Sequence, residues 1–438
     1  MSLAERARGG GKVVVYAGAG ISLAQPTGLP TGRALAIAIY TQLEAAFHVL
    51  SAVNPADLVA VADAVAGLPG GKEALRQTSA LSADFKTAKP GYAHRTLAHL
   101  MLEGAIDVLT TNWDNCIERG AGEEQLPTVT DERSLRQVTP PWVLKVHGCA
   151  SQPDSLLLTS EDLSTPPRWV KDQTHARLGS AVVVFMGIGD VAGYVKERII
   201  EAISEVGSVD NIRVVAPDIV ENWGKSQWSG VAPDLHDDYR IPATADLFME
   251  QLAGAYIVVQ LGGFGLTLAS DGGIAAAFDA VRTSLLKNDP LTILQWARRT
   301  DVQPRAGRSI LGTSEMATAL TALGHLTGAN ARLKRDQVIE TDDGLIEVLI
   351  STQVVPARRI IQEAENRLQE YASRGDPYPL FLVAGGIGWP PVNRSDEALA
   401  KRSILPSDIL DVSDATDILD GPRALTPIIR RADEVLAS

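Results

Sequence analysis

The sequence predicts a doubly wound α/β fold: a parallel sheet covered by helices, followed by a second, C-terminal α/β domain. Three observations predict it. Short apolar runs rich in β-branched residues recur along the chain, and each ends on glycine or a polar cluster. A helical pattern follows nearly every one, and strand, loop, helix repeated is the signature of a doubly wound sheet. Aromatic residues are only 5%, so Ala, Val, Leu and Ile supply most of the 45% hydrophobic content, which suits helices packed on buried strands.

The first run, KVVVYAGAGIS (12–22), is continuous, as in strands buried on both faces. GRALAIAIYTQLEAAFHVL and the stretch 55–81 have helical patterns punctuated by Gly and Pro. HRTLAHLMLEG is a helix closed by Gly104, and the strand AIDVLTT follows it. PWVLKVHG (141–148) is the next strand. SAVVVFMGIGD (180–190) leads into the amphipathic YVKERIIEAISEVG, and NIRVVAPD (211–218) is a further strand. IPATADLFMEQLAGAYIVVQL then reads as a closing helix and strand. The glycine-rich LGGFGLTLASDGG (261–273) places a boundary near 260, giving domains of 1–260 and 261–438. In the second, GLIEVLIST, a helix from Pro356 to Arg374 and PLFLVAGGIG form a β-α-β unit. That helix puts Ile361, Ala364, Leu368 and Tyr371 on one face and stops at Gly375.

A net charge of -13 and a pI near 5.1 argue against a nucleic-acid binder acting through its overall field. Arg298, Arg299, Arg305 and Arg308 read as a solvated helix end. Two cysteines, Cys116 and Cys149, allow no disulfide framework and no four-cysteine zinc site. The N-terminus reads as strand and loop, not as a signal sequence, and no uninterrupted apolar run approaches the roughly 18 residues of a membrane span. The expected location is the cytoplasm, with no membrane partner.

The polar clusters all fall at strand ends, where ligands of such sheets bind. In GAGIS, Gly18 and Gly20 let backbone approach a phosphate, and a following helix N-terminus would offer free N–H groups. TTNWD offers the carboxamide of Asn112 and the carboxylate of Asp114, which also suit capping of a helix starting near Cys116. KVHG offers His147, the histidine best placed to face a crevice. No pair of histidines has metal-ligand spacing.

The ordered set GAGIS, Gly-Leu-Pro (28–30), TTNWD and KVHG resembles the sirtuin family over roughly residues 10–260. That family carries a GAGIS loop, a Gly-Ile-Pro-Asp-Phe-Arg segment, a Gln-Asn-Ile-Asp motif and a His-Gly on a Rossmann-like sheet. The resemblance implies that Gly18, Ala19, Gly20, Ile21 and Ser22 form the pyrophosphate loop of bound NAD, with Arg33 matching the family's arginine. It implies that Asn112 holds the nicotinamide ribose and the reacting water, with Trp113 packing beneath. It gives Asp114 the nicotinamide carboxamide and makes His147 the general base. Gly187 and Gly189 match the later glycine loop, and Asp218, at a strand end, would favour an unphosphorylated ribose.

Two departures refine this. The paired cysteines of the family's zinc ribbon are missing, and Thr31 and Gly32 stand where Asp and Phe precede the arginine. Both weaken an acyl-lysine tunnel and leave the nucleotide half intact. The pattern looks more like the bacterial branch whose members hydrolyse NAD during antiphage defence. It therefore implies a metal-free NAD glycohydrolase yielding nicotinamide and ADP-ribose. Residues 261–438 would regulate it through homo-oligomerisation or a partner such as a HerA-type ATPase. A protein deacylase and a non-catalytic NAD- or ADP-ribose-binding scaffold are the alternatives.

Overall fold

The computed structural model describes residues 2–9, 11–44, 52–78, 84–188, 193–268, 272–334, 336–388, 429–432 and 435. The chain forms two compact units, Met1–Ala253 with Ala306–Arg308, and Gly254–Arg305 with Ser309–Ser438.

The first unit holds a seven-stranded sheet of β1 (Val13–Ala17), β2 (Asp107–Thr110), β3 (Thr128–Val129), β4 (Val143–Lys145), β5 (Val182–Met186), β6 (Ile212–Val215) and β7 (Arg240–Ile241). Their spatial order is β3-β4-β2-β1-β5-β6-β7, and every pairing is parallel. The doubly wound reading is therefore observed. Every residue of β1 and β5 is buried, which is why both appear as unbroken apolar runs. The chain winds from β1 through β2 to β4, then returns to lay β5 on the other side of β1. That reversal opens a crevice beyond the C-terminal ends of β1 and β5. Tyr16, Phe185 and Trp228 stack through the core with ring centroids 5.4 and 5.3 Å apart. A separate apolar cluster, with Leu35, Ile39, Val61, Val65, Leu75 and Phe85, holds the helices Gly32–Leu43 and Leu58–Ala66.

The second unit has a five-stranded sheet ordered β12-β11-β10-β9-β8, from β8 (Arg332–Leu333), β9 (Ile339–Thr341), β10 (Gly344–Pro356), β11 (Leu380–Gly388) and β12 (Ile429–Arg431). β8, β9 and β10 are antiparallel neighbours, whereas β10, β11 and β12 run parallel. The helix Ala357–Arg374 makes the crossover from β10 to β11 and stops at Gly375 in the left-handed region (φ 71°). Its buried row starts at Ile360 rather than Ile361 and continues through Ala364, Leu368 and Tyr371.

Two expectations are corrected. The strand expected at AYIVVQL is part of one helix, Ala245–Leu268, which also takes in most of the glycine-rich stretch. Met249, Ala253, Ile257 and Leu261 are all fully buried, and this four-residue period overrides the strand preference of Ile and Val. The segment Ala245–Phe264 is also long and apolar enough to cross a membrane by length and composition, and it is partly buried.

Of the arginine stretch, Arg305 and Arg308 are exposed as expected, whereas Arg298 and Arg299 are not solvated. Arg298 is buried and donates to the Arg305 carbonyl (2.8 Å). Arg299 pairs with Glu347 (3.1 Å) and Glu370 (2.8 Å). Glu347, itself buried, also meets Arg367 (3.5 Å) and accepts the Tyr371 hydroxyl (2.9 Å). Glu347→Ala would leave Arg299 with Glu370 and Arg367 with Glu363 but the Tyr371 hydroxyl without its acceptor, so it is expected to cost about 1–3 kcal/mol. Urea unfolding against the parent measures the loss.

Candidate functional site

Three glycines build the floor of the crevice. Gly18 N–H donates to the Met186 carbonyl (2.9 Å) and Gly20 N–H to the Gly187 carbonyl (2.7 Å), so the loops after β1 and β5 pack backbone to backbone. A Cβ on Gly18 or Gly20 would sit 2.8 or 2.7 Å from the Gly187 oxygen. Gly187 has φ +67°, and its own Cβ would lie 2.6 Å from Ile21 N. This corrects the expected helix N-terminus at GAGIS. Ala19–Ser22 is one 3-10 turn, the next helix starts at Gly32, and the Gly20 N–H is already engaged. The glycines are needed for loop-to-loop contact in the first place.

Asn112 and Asp114 follow β2, and both are buried. Asp114 Oδ1 accepts the N–H of Cys116 (3.0 Å), the first residue of the helix Cys116–Gly120, whose N-cap position is Asn115. Asp114 Oδ2 accepts the Ser22 hydroxyl (2.9 Å). Ser22 Oγ in turn receives Asn112 Nδ2 (3.1 Å) and faces His94 Nε2 (3.0 Å). Gly91 N–H donates to His94 Nδ1 (3.1 Å), which leaves the imidazole proton on Nε2, pointing at Ser22. Burial holds His94 below its usual pKa, with Asp114 offsetting only part, so the ring is neutral. The Ser22 hydroxyl is then saturated, with one proton given and two accepted. The Asn112 amide orientation follows from this. Its Oδ1, buried and without a hydrogen-bond partner among the described residues, is left as an acceptor.

Lys145 lies beneath this loop, fully buried at the end of β4. Its ammonium meets Glu118 (3.2 Å) and the carbonyls of Asn112 (3.4 Å) and Asp114. Burial opposes the charge, but Glu118 first and then Cys149 and Asp114 outweigh it and raise the Lys145 pKa. Burial likewise opposes ionisation of Asp114, yet Lys145 above all, with the Cys116 and Ser22 bonds, holds its carboxyl below the usual range.

His147 is positioned by its backbone. Its carbonyl accepts the Trp113 indole N–H (3.1 Å) and Leu157 N–H (3.1 Å). Gly148 follows with φ +82°, where a Cβ would lie 2.1 Å from the Ser155 oxygen. Trp113 sits 6.2 Å from Phe85 between ring centroids.

One cavity of about 1080 Å³ gathers Gly18, Ala19, Gly20, Ser22, Arg33, Asn112, Trp113, Asp114, His147 and Gly187. Ile21 is buried behind its wall. Arg33 is exposed at the start of the helix Gly32–Leu43. Asp218 stands apart from the cavity, exposed, with its carboxylate accepting Asn222 Nδ2 (2.9 Å). Gly189 lies outside the described residues.

Sequence reading missed His94, Lys145 and Glu118. Lys145 had a signal, a lysine inside an otherwise apolar strand. His94 had none, because only the packing of the helix Tyr92–Leu102 brings it to Ser22. His94, Asp114 and Cys116 also place possible ligand atoms within 4.8 Å of one another. Burial first, and Asp114 second, push the Cys116 thiol up, and both His94 nitrogens face hydrogen-bond partners.

Residues 107–218, which include Asn112, Asp114, His147 and Gly187, match the SIR2-like domain. No curated protein matches the chain. Among solved structures, a Sir2 homologue–NAD complex is similar at 16% identity over 55% of this chain and 87% of its own, with a TM-score of 0.31. A Sir2 homologue mutant with ADP-ribose gives 18% identity over 55% and 90%, TM-score 0.31. A structure on sirtuin substrate affinity gives 15% over 57% and 93%, TM-score 0.30. The observed strand order, not these likenesses, carries the fold assignment.

Proposed function

We propose that the first unit is an NAD glycohydrolase that cleaves NAD with water to nicotinamide and ADP-ribose. The observation that carries this reading is the meeting of two glycine loops, Asn112, Asp114 and His147 in one cavity at the reversal of the sheet. The SIR2-like match over residues 107–218 supports it.

In this reading the pyrophosphate lies along Gly18–Ser22 and Gly187, near Arg33. Asn112 Oδ1 takes a ribose hydroxyl or the attacking water, both of which bring the donor it lacks. Asp114 keeps lone pairs beyond its two bonds and accepts the nicotinamide amide. The bond from the ribose C1′ to nitrogen breaks with its electron pair going to the pyridinium ring, which leaves neutral and needs no acid. Water forms the new C1′–O bond, and its proton passes to His147. A positioned base of this kind is worth roughly 10² to 10⁴ in rate. An activity that depletes NAD requires restraint, and we assign that restraint to the second unit, through self-association or a partner ATPase.

Incubating the full chain with NAD and measuring nicotinamide and ADP-ribose tests the reading. Equal release of both, with no acyl-peptide required, is the expected result. NAD binding without release, or release only with an acetyl-lysine peptide and formation of O-acetyl-ADP-ribose, would replace it by a scaffold or a deacylase.

A further inference from the structure

A second cavity, of about 300 Å³, lies between the helices Arg168–Leu178 and Gly193–Val206. Among the described residues His147 alone lines both this cavity and the larger one. Thr174 and Ala202 form part of its wall, and Glu201, Glu205 and His175 are also among its lining. Glu201 and His175 are exposed, and His175 Nδ1 pairs with Glu205, so this end of the cavity meets solvent. The volume far exceeds the roughly 10–15 Å³ that one water needs, and the polar lining supplies partners for several.

We propose that this cavity is a water-filled passage through which His147 exchanges protons with solvent while the larger cavity is filled. The proposal rests on the hydrolase reading for its purpose. Cleavage of NAD by water releases one proton, and after attack that proton is on His147. ADP-ribose and nicotinamide then still occupy the front cavity, so the proton leaves by the other wall. Waters carry it to the carboxylates of Glu201 and Glu205 and the His175 imidazole, and from there to bulk solvent. Glu201, Glu205 and His175 touch no substrate and act only on the proton's exit.

Deuterium exchange at the His147 Cε1–H, followed by mass spectrometry, reads solvent access to this imidazole without any turnover. It is measured on the full chain, free and saturated with ADP-ribose, for the parent, Thr174→Phe and the volume-conserving Thr174→Val. Thr174→Leu serves if the phenylalanine variant does not fold. Exchange is expected to persist in the parent complex and to slow about tenfold when bulk fills the passage, with Thr174→Val unchanged. In turnover, kcat should fall with KM unchanged and the solvent isotope effect should rise. Glu201→Gln with Glu205→Gln should lower kcat without slowing the exchange. Exchange that stops in the parent complex, or that bulk at Thr174 leaves unaltered, overturns the passage. A parent that binds ADP-ribose but releases no nicotinamide from NAD would sink the hydrolase reading instead, and the exchange in that complex would still decide the passage.

Discussion

His147→Ala is expected to release nicotinamide from NAD about 10²- to 10⁴-fold more slowly than the parent while folding normally. The two halves of this expectation have separate physical grounds. Folding survives because the residue is held by its main chain. The carbonyl that receives Trp113 and Leu157, and the left-handed Gly148 behind it, do not need the imidazole. Activity is lost because neither of the two titratable groups beside Asn112 can take over the water's proton. His94 is neutral, donates to Ser22 and accepts from Gly91, and Asp114 is held ionised by Lys145, a weak base. Asn112→Ala should give a loss of similar order by misplacing the water and ribose. It also leaves one lone pair of the Ser22 hydroxyl unfilled, so the unfolding midpoint should drop slightly. A His147→Ala enzyme that consumes NAD at the parent rate would remove the assigned base. Paired rate and unfolding measurements separate a catalytic defect from a structural one.

Much of this site could be read before the fold was known, for a simple reason. Strands buried on both faces cannot alternate, so β1 and β5 stand out as apolar runs, and polar residues at their ends stand out in turn. The edge strands Thr128–Val129 and Arg240–Ile241 are two residues each, too short to carry a pattern. AYIVVQL misled because β-branched content and helical period point opposite ways, and burial follows the period. The glycines of GAGIS were legible as a close approach, but the partner in that approach is another strand-end loop, which no local pattern names. Asp114 accepts the first N–H of a helix and also lines the cavity, so the two readings of TTNWD do not exclude each other.

Lys145→Met should cost about 3–5 kcal/mol at neutral pH, because it leaves two buried carboxylates without their cation. The pH dependence distinguishes this cause from loss of packing. Asp114 has a depressed pKa in the folded protein, so its contribution is present above its unfolded value and is lost as pH falls through the folded one. Lys145 has a raised pKa, so its contribution is present below its unfolded value and is lost only as pH rises through the folded one. Both contributions are therefore present at neutral pH, and methionine removes both. Without the ammonium, burial dominates at Asp114 and Glu118, and both carboxyls shift upward. Acid then neutralises the very charges that destabilise the variant, so its deficit against the parent should shrink toward about pH 4. A deficit that is the same at both pH values would point to packing alone. The same change frees the carbonyls of Asn112 and Asp114 that the ammonium holds, so the loop carrying both side chains loses its support from below. Folded Lys145→Met should accordingly lose nicotinamide release as well, although Lys145 never touches the cavity.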